Sequence, residues 1–288
     1  MSSSVATSRS AGVSGRTLAV LVALAVALVA AFFVAPGRLA SSGTGSGLVD
    51  EHHLGKAFRA AFVGYWSSGD RGFSPDLESV VDYWFRYHVA KAVIAALLLT
   101  VLVALGVLLW KAFLRAGGLG AGRRAALAAG GIFAAMLGLL SSVVVMANIQ
   151  GATAPFASLF PMLVVRTADG ELADTLDQVR QRLAEPQSAG ARTPPALTVM
   201  ISDFSRYHVV LAVLAAIAAV VLIGLSVLLW KRFARTGAGS DRRTRRVVGS
   251  FGVLSALLSL ALIVVAVANT TSAADPAPAL LSLFEGGW

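Results

Sequence analysis

Cysteine is absent from the 288 residues. Disulfides, thiolate metal sites, iron–sulfur clusters and cysteine nucleophiles are excluded together. Charge is also scarce, at 14% of residues, where a soluble domain carries about a quarter. Low charge with 57% hydrophobic residues and a mean hydropathy of +0.76 excludes a largely disordered chain and argues against a freely soluble enzyme. The common catalytic signatures are missing as well. There is no His-Glu-x-x-His, no Gly-x-Ser-x-Gly, no P-loop and no dinucleotide-binding glycine pattern at a strand–helix switch.

What is present is a set of long apolar runs. Five uncharged stretches, roughly 17–34, 92–110, 125–147, 209–230 and 247–268, are long enough to span a bilayer. At 1.5 Å per residue they reach about 27–35 Å, matching a hydrocarbon core of about 30 Å. The expected fold class is therefore all-α, a polytopic integral membrane protein with five transmembrane helices and the lipid bilayer as its first partner.

The connecting segments predict an orientation. Arg9, Arg16, Lys111, Arg115, Arg123, Arg124, Lys231, Arg232, Arg235, Arg242, Arg243, Arg245 and Arg246 fall on one side with a single acid, Asp241. The other side holds the remaining eleven basic and fourteen acidic residues, a split of +12 against −3. Short Lys/Arg-rich loops stay cytoplasmic. The N-terminus is expected inside and the C-terminus outside, in the plasma membrane. The resulting segments are a tail (1–16), an anchor helix or uncleaved signal (17–35), an outer loop (36–85), a hairpin (86–147), a second outer loop (148–205), a second hairpin (206–268) and an outer tail (269–288). A cleaved signal peptide is the alternative reading of the first span, disfavoured by its length and the lack of a clean cleavage site after it.

The two hairpins are related in sequence. A shift of 120 places Arg86-Tyr87-His88-Val89 on Arg206-Tyr207-His208-Val209 and Trp110-Lys111 on Trp230-Lys231, with 19 identities in the 32 positions from 86. Past small insertions, Ala147-Asn148 matches Ala268-Asn269, and Ser158-Leu159-Phe160 matches Ser282-Leu283-Phe284. Both copies run in the same direction, which predicts a pseudo-axis along the membrane normal. Ser74-Pro75-Asp76 reads as a helix start well before the apolar run, and Pro194-Pro195 as its counterpart. Leu172, Leu176, Val179 and Leu183 recur at helical spacing among charged residues and predict an amphipathic helix packed on protein or headgroups. Ser41 to Gly47 reads as a flexible linker.

The candidate site is the repeated Arg-Tyr-His. All four histidines (His52, His53, His88, His208) fall on the predicted outer side. Imidazole suits Zn, Cu and haem iron, so His88 and His208 are candidate metal or haem ligands, sharing one ion only if their spans are neighbours. The alternative is no cofactor at all: an interfacial motif in which Tyr87 and Tyr207 sit at headgroup level while Arg86 and Arg206 snorkel. Helical spacing puts His88 over Ala92, Ala95 and Ala96, and His208 over Ala212, Ala215 and Ala216, a small-residue face suited to packing. Arg86 instead aligns with Val93 and Leu97, and Arg206 with Val213 and Ile217. Asp82 and Asp203 precede the histidines at unequal offsets, a weak acid–base pairing.

The spans are nearly empty of ionisable groups, Lys91 being the nearest exception. A self-contained ion-coupled pathway needs such groups at mid-depth. The expectation is a non-catalytic interaction or accessory subunit with a membrane-protein partner or a homo-oligomeric state. An oligomeric transporter or channel component is the second class, and an outer-face haem or metal protein the third. The basic loops lack interleaved aromatics, so they point to topology and anionic headgroups and not to nucleic acid.

Overall fold

A computed structural model describes residues 15–42, 51–116, 120–164, 170–185, 193–235 and 242–287. The N-terminal tail, most of the Gly/Ser stretch, the glycines at 117–118 and residues 236–241 lie outside these residues. All regular structure among the described residues is helical: α1 (Gly15–Ser41), α2 (Glu51–Ser68), α3 (Pro75–Arg115), α4 (Ala121–Thr153), α5 (Pro155–Leu159) with a 3-10 turn (Phe160–Met162), α6 (Glu171–Ala184), α7 (Pro195–Arg235), α8 (Arg242–Ala274) and α9 (Pro276–Phe284). Five of these, α1, α3, α4, α7 and α8, are long and apolar enough to cross a membrane. The fold is an all-α polytopic membrane protein.

The long helices begin where local chemistry starts them. Ser74 Oγ accepts the Leu77 amide at 3.4 Å and its carbonyl accepts from Glu78 at 2.8 Å, with Pro75 at the first helical position. At the other start, the Pro194 carbonyl accepts from the Thr198 amide at 3.0 Å. As a result α3 and α7 are each 41 residues long, and α4 and α8 are each 33. At 1.5 Å per residue the two longer helices measure about 61 Å, twice a hydrocarbon core. The hairpins therefore start earlier and end later than the apolar runs suggest, and the segments read as outer loops are mostly helix.

The chain divides into two compact units, residues 1–33 with 94–143, and residues 34–93 with 144–288. In the first unit α3 and α4 approach closely through small residues. An added Cβ on Gly106 would touch Ala134 Cβ at 3.8 Å, and one on Gly131 would come within 3.0 Å of the Trp110 indole. Residues such as Phe133, Met136 and Leu140 on α4 remain exposed, as lipid-facing side chains do.

The second unit holds α7 packed along α8, together with a layer of helices of which the spacing of apolar residues announces only α6. Leu54, Phe58, Phe62 and Tyr65 of α2 are fully or almost fully buried, and Leu176, Val179 and Leu183 of α6 face the same core. Phe156 of α5 is the hub, with ring centroids 4.9 Å from Phe73, 4.9 Å from Phe160, 5.9 Å from Tyr65 and 6.4 Å from Phe58. Phe160 in turn meets Phe284 of α9 at 6.0 Å. The amphipathic helix α6 thus spends its apolar face on protein. In this layer α2 precedes α3 as α6 precedes α7, and α5 follows α4 as α9 follows α8. Arg59 of α2 donates to the Met162 carbonyl and Arg180 of α6 to the Phe284 carbonyl, both at 2.9 Å. Each arginine closes the C-terminal end of a short helix, where unpaired carbonyls gather.

Candidate functional site

His88 lies on α3 two turns above Ala95, which is buried; His208 occupies the same place on α7 above buried Ala215. Ala92 and Ala212 are half-buried and Ala96 and Ala216 are exposed, so the contact line on each helix is narrower than helical spacing alone indicates. Val93, Leu97, Val213 and Ile217 are each more than half exposed, which places the faces carrying Arg86 and Arg206 outward.

Each imidazole is bound to an asparagine of its own return helix. His88 Nδ1 lies 2.9 Å from Asn148 Oδ1, and His208 Nδ1 lies 2.8 Å from Asn269 Oδ1. The amide orientation is set by Asn148 Nδ2 donating to the Val144 carbonyl at 2.8 Å and Asn269 Nδ2 to the Val265 carbonyl at 2.9 Å. With nitrogen committed to the helix, the amide oxygen is an acceptor and Nδ1 is the protonated ring nitrogen. Nε2 then carries the lone pair in both copies. In the first copy that atom is buried and has no hydrogen-bond partner among the described residues.

Aromatic rings and a glycine wall the first imidazole. Trp84 meets His88 edge-on at 4.7 Å and stacks on Tyr87 at 5.1 Å with 5° between planes; its indole N–H donates to Ser158 Oγ at 2.8 Å. A Cβ on Gly151 would lie 2.7–2.8 Å from Cε1, Nε2 and Cδ2 of His88. Those near-equal distances put Gly151 over the ring face and leave the in-plane lone pair unobstructed by it. In the second copy Phe204 replaces Trp84, 4.5 Å from His208, and Ser272 stands where a 121-residue shift places Gly151.

The remaining candidates are distributed differently. Tyr87 and Tyr207 pack half-buried against the hydrophobic core, with Lys91 Nζ 4.8 Å from the Tyr87 ring centroid and the Tyr207 carbonyl accepting from Gln150 Nε2 at 3.0 Å. Arg86 pairs with Asp82 and Arg206 with Asp203, each at 3.5 Å. Asp203 Oδ2 accepts the Ala157 amide at 2.9 Å, so this carboxylate closes the start of α5. The aspartates therefore serve arginines and a helix end, not the histidines. His53 is exposed on α2, and the His52 side chain is outside the described residues. Among the described residues no group of three or more His, Cys, Asp or Glu could hold a metal ion.

Sequence matching aligns Asn148 with Asn269 but does not mark them as partners of the histidines. Their signal was a polar residue recurring at the end of two matched apolar runs. The fixed tautomer, the buried lone pair of His88 and the absence, among the described residues, of a carboxylate beside the ring leave the pair suited to holding two helices or donating one imidazole to a ligand. Compared with known proteins, the chain matches no protein-family model, no curated protein and no solved structure.

Proposed function

We propose that the chain is a non-catalytic interaction or accessory subunit of the plasma membrane. Its N-terminus is cytoplasmic, its C-terminus is outside, and the layer of α2, α5, α6 and α9 meets a membrane-protein partner or further copies of the chain. The observation that carries this reading is the packed core of that layer, in which Phe58, Phe62, Tyr65, Phe156 and Phe284 are buried. Segments serving only to connect spans do not need such a core. The apolar runs, nearly free of ionisable side chains, support interaction over coupled transport. In this reading the two hairpins arose by duplication, with a pseudo-axis along the membrane normal.

A photoreactive residue in place of exposed Gln181 or Glu171 on α6 tests the reading in native membranes. A discrete crosslinked species, either heteromeric or a multiple of the chain's own mass, is expected. Adducts with lipid alone from both positions, in a chain that purifies as a monomer, overturn it.

A second reading is favoured by the buried, unpartnered Nε2 of His88. Metal-bound histidines usually donate their other ring N–H to a carbonyl or carboxylate, and both His88 and His208 make such a bond. In that reading they hold haem or a metal ion. The metal content and visible spectrum of purified protein, with and without His88→Ala and His208→Ala, decide it. Unchanged content, or none in the parent protein, removes the cofactor.

A further inference from the structure

We propose that the C-terminal end of α7 and the N-terminal end of α8 carry a binding surface for the phosphates of anionic phospholipids. The proposal builds on the membrane-spanning fold and is independent of any protein partner. Helix α8 opens with Arg242-Arg243-Thr244-Arg245-Arg246, and its first turn contains no acid. Helix α7 closes with Lys231, Arg232 and Arg235. Seven basic residues are thus brought to one end of a packed helix pair, and Asp241 is the single acid in the sequence from 231 to 246. The equivalent stretch of the first hairpin, residues 111–124, has four: Lys111, Arg115, Arg123 and Arg124.

The placement matters more than the count. Basic residues at the end of α7 oppose the negative pole of that helix, a favourable arrangement. Arginines in the first turn of α8 sit at a positive pole and beside one another, which is unfavourable unless anions collect there. Retaining a loop on one side of the membrane requires charge near the span, but does not require it inside the first helical turn. Arg242, Arg245 and Arg246 are exposed. The Arg245 guanidinium lies 4.6 Å from the Phe233 ring centroid, and a Cβ on Gly249 would meet that same ring at 3.2 Å. Stacking on a ring held by α8 fixes the guanidinium plane and leaves its N–H edge for an oxyanion.

The depth selects the source of that anion. The α7 apolar run ends at Trp230 and the α8 run begins at Val247, so the arginines border the span at the level of lipid phosphates. A headgroup there can accept bidentate bonds from guanidinium groups. An anionic phospholipid offers both that phosphate and acyl chains for the exposed apolar sides of α7 and α8.

The full chain, purified in neutral detergent, tests this by native mass spectrometry and by competition against a fluorescent phosphatidylglycerol. The probes are phosphatidylglycerol, a two-phosphate anionic phospholipid, phosphatidylcholine and inorganic phosphate. Both anionic lipids should bind, the two-phosphate one more tightly, and phosphatidylcholine should not. The combined variant Arg242→Gln, Arg245→Gln, Arg246→Gln should lose affinity about tenfold or more. The matching Lys variant should lose less, and Arg123→Gln with Arg124→Gln should change binding least. Helicity of each variant is measured alongside. Wild-type affinity in a folded triple Gln variant overturns the proposal. So does full competition by millimolar inorganic phosphate, which would make the site one for a free anion.

Discussion

Gly151 lies against the face of His88 so closely that a methyl group there would stand 2.7 Å from the imidazole. The ring cannot swing away freely, because Asn148 holds Nδ1 and Trp84 meets its side. Gly151→Ala should therefore destabilise the protein by about 1–3 kcal/mol, the usual cost of forcing atoms into a filled core. Gly138→Ala, in the same helix with open space around the new methyl, should instead stabilise by up to about 1 kcal/mol. Paired thermal melts in one detergent check both signs. Equal responses would show that Gly151 has no special contact.

Tyr65 supplies a pH prediction. It is fully buried at the base of the aromatic layer, and that burial raises its phenol from 10.0 to about 12, with nearby Arg71 opposing and Asp70 adding to the shift. A folded pKa above the unfolded one means that the neutral phenol's contribution is complete below pH 10 and is lost as pH rises through about 12. Alkaline titration followed by near-ultraviolet circular dichroism should show loosening of the layer in that window. Tyr65→Phe, which has no proton to lose, should move the transition to higher pH; an unmoved transition refutes the assignment.

Orientation can be read with cysteines, since the native chain contains none. Ser42→Cys should react with an impermeant thiol reagent on intact cells, and Gly120→Cys only after permeabilisation. Labelling of Gly120→Cys in sealed cells reverses the topology inferred from the charge split.

Arg59 and Arg180 each bond to one carbonyl of a short helix. A hydrogen bond from a charged donor contributes about 1.5–3 kcal/mol. Arg59→Met, which keeps most of the aliphatic stem, should cost about 1–2 kcal/mol after allowance for solvent at the partly exposed head. Hydrogen exchange should speed up at α5 more than at α9, with the reverse pattern for Arg180→Met. Uniform acceleration across the protein would show that the arginines do not act locally.

Much of this arrangement is legible in the residues, and the gaps have physical causes. Apolar run length locates the five spans because only lipid tolerates so many uncharged positions in a row. Ser74-Pro75 and the Leu172–Leu183 spacing mark α3 and α6 through local capping and periodicity. Helix α2 carries an equally regular pattern at Leu54, Phe58, Phe62 and Tyr65, but its two interior glycines and the adjoining Gly/Ser stretch disguise it as loop. Helix α9 is similarly hidden by Pro276 and Pro278 in a nine-residue element. Its start repeats that of α5, with Ala154 and Asp275 at nearly the same backbone angles. That equivalence sets a 121-residue register, whereas the Ser-Leu-Phe match lies at 124, about one helical turn further on. The His–Asn bonds are legible only in hindsight, because their partners lie 60 and 61 residues apart and nothing local signals the pairing.

The length of α7 has a mechanical corollary. Between Pro195 and Arg235 the helix contains no internal proline and one glycine, Gly224. It is a stiff rod with α9 packed near one end and its own Lys231, Arg232 and Arg235 at the other. Pivoting such a rod by about 5° about one end carries the far end about 5 Å, given its length of about 61 Å. A tilt imposed at the end packed against α9 would therefore move the other end by a distance comparable to a helical turn, without any hinge in between.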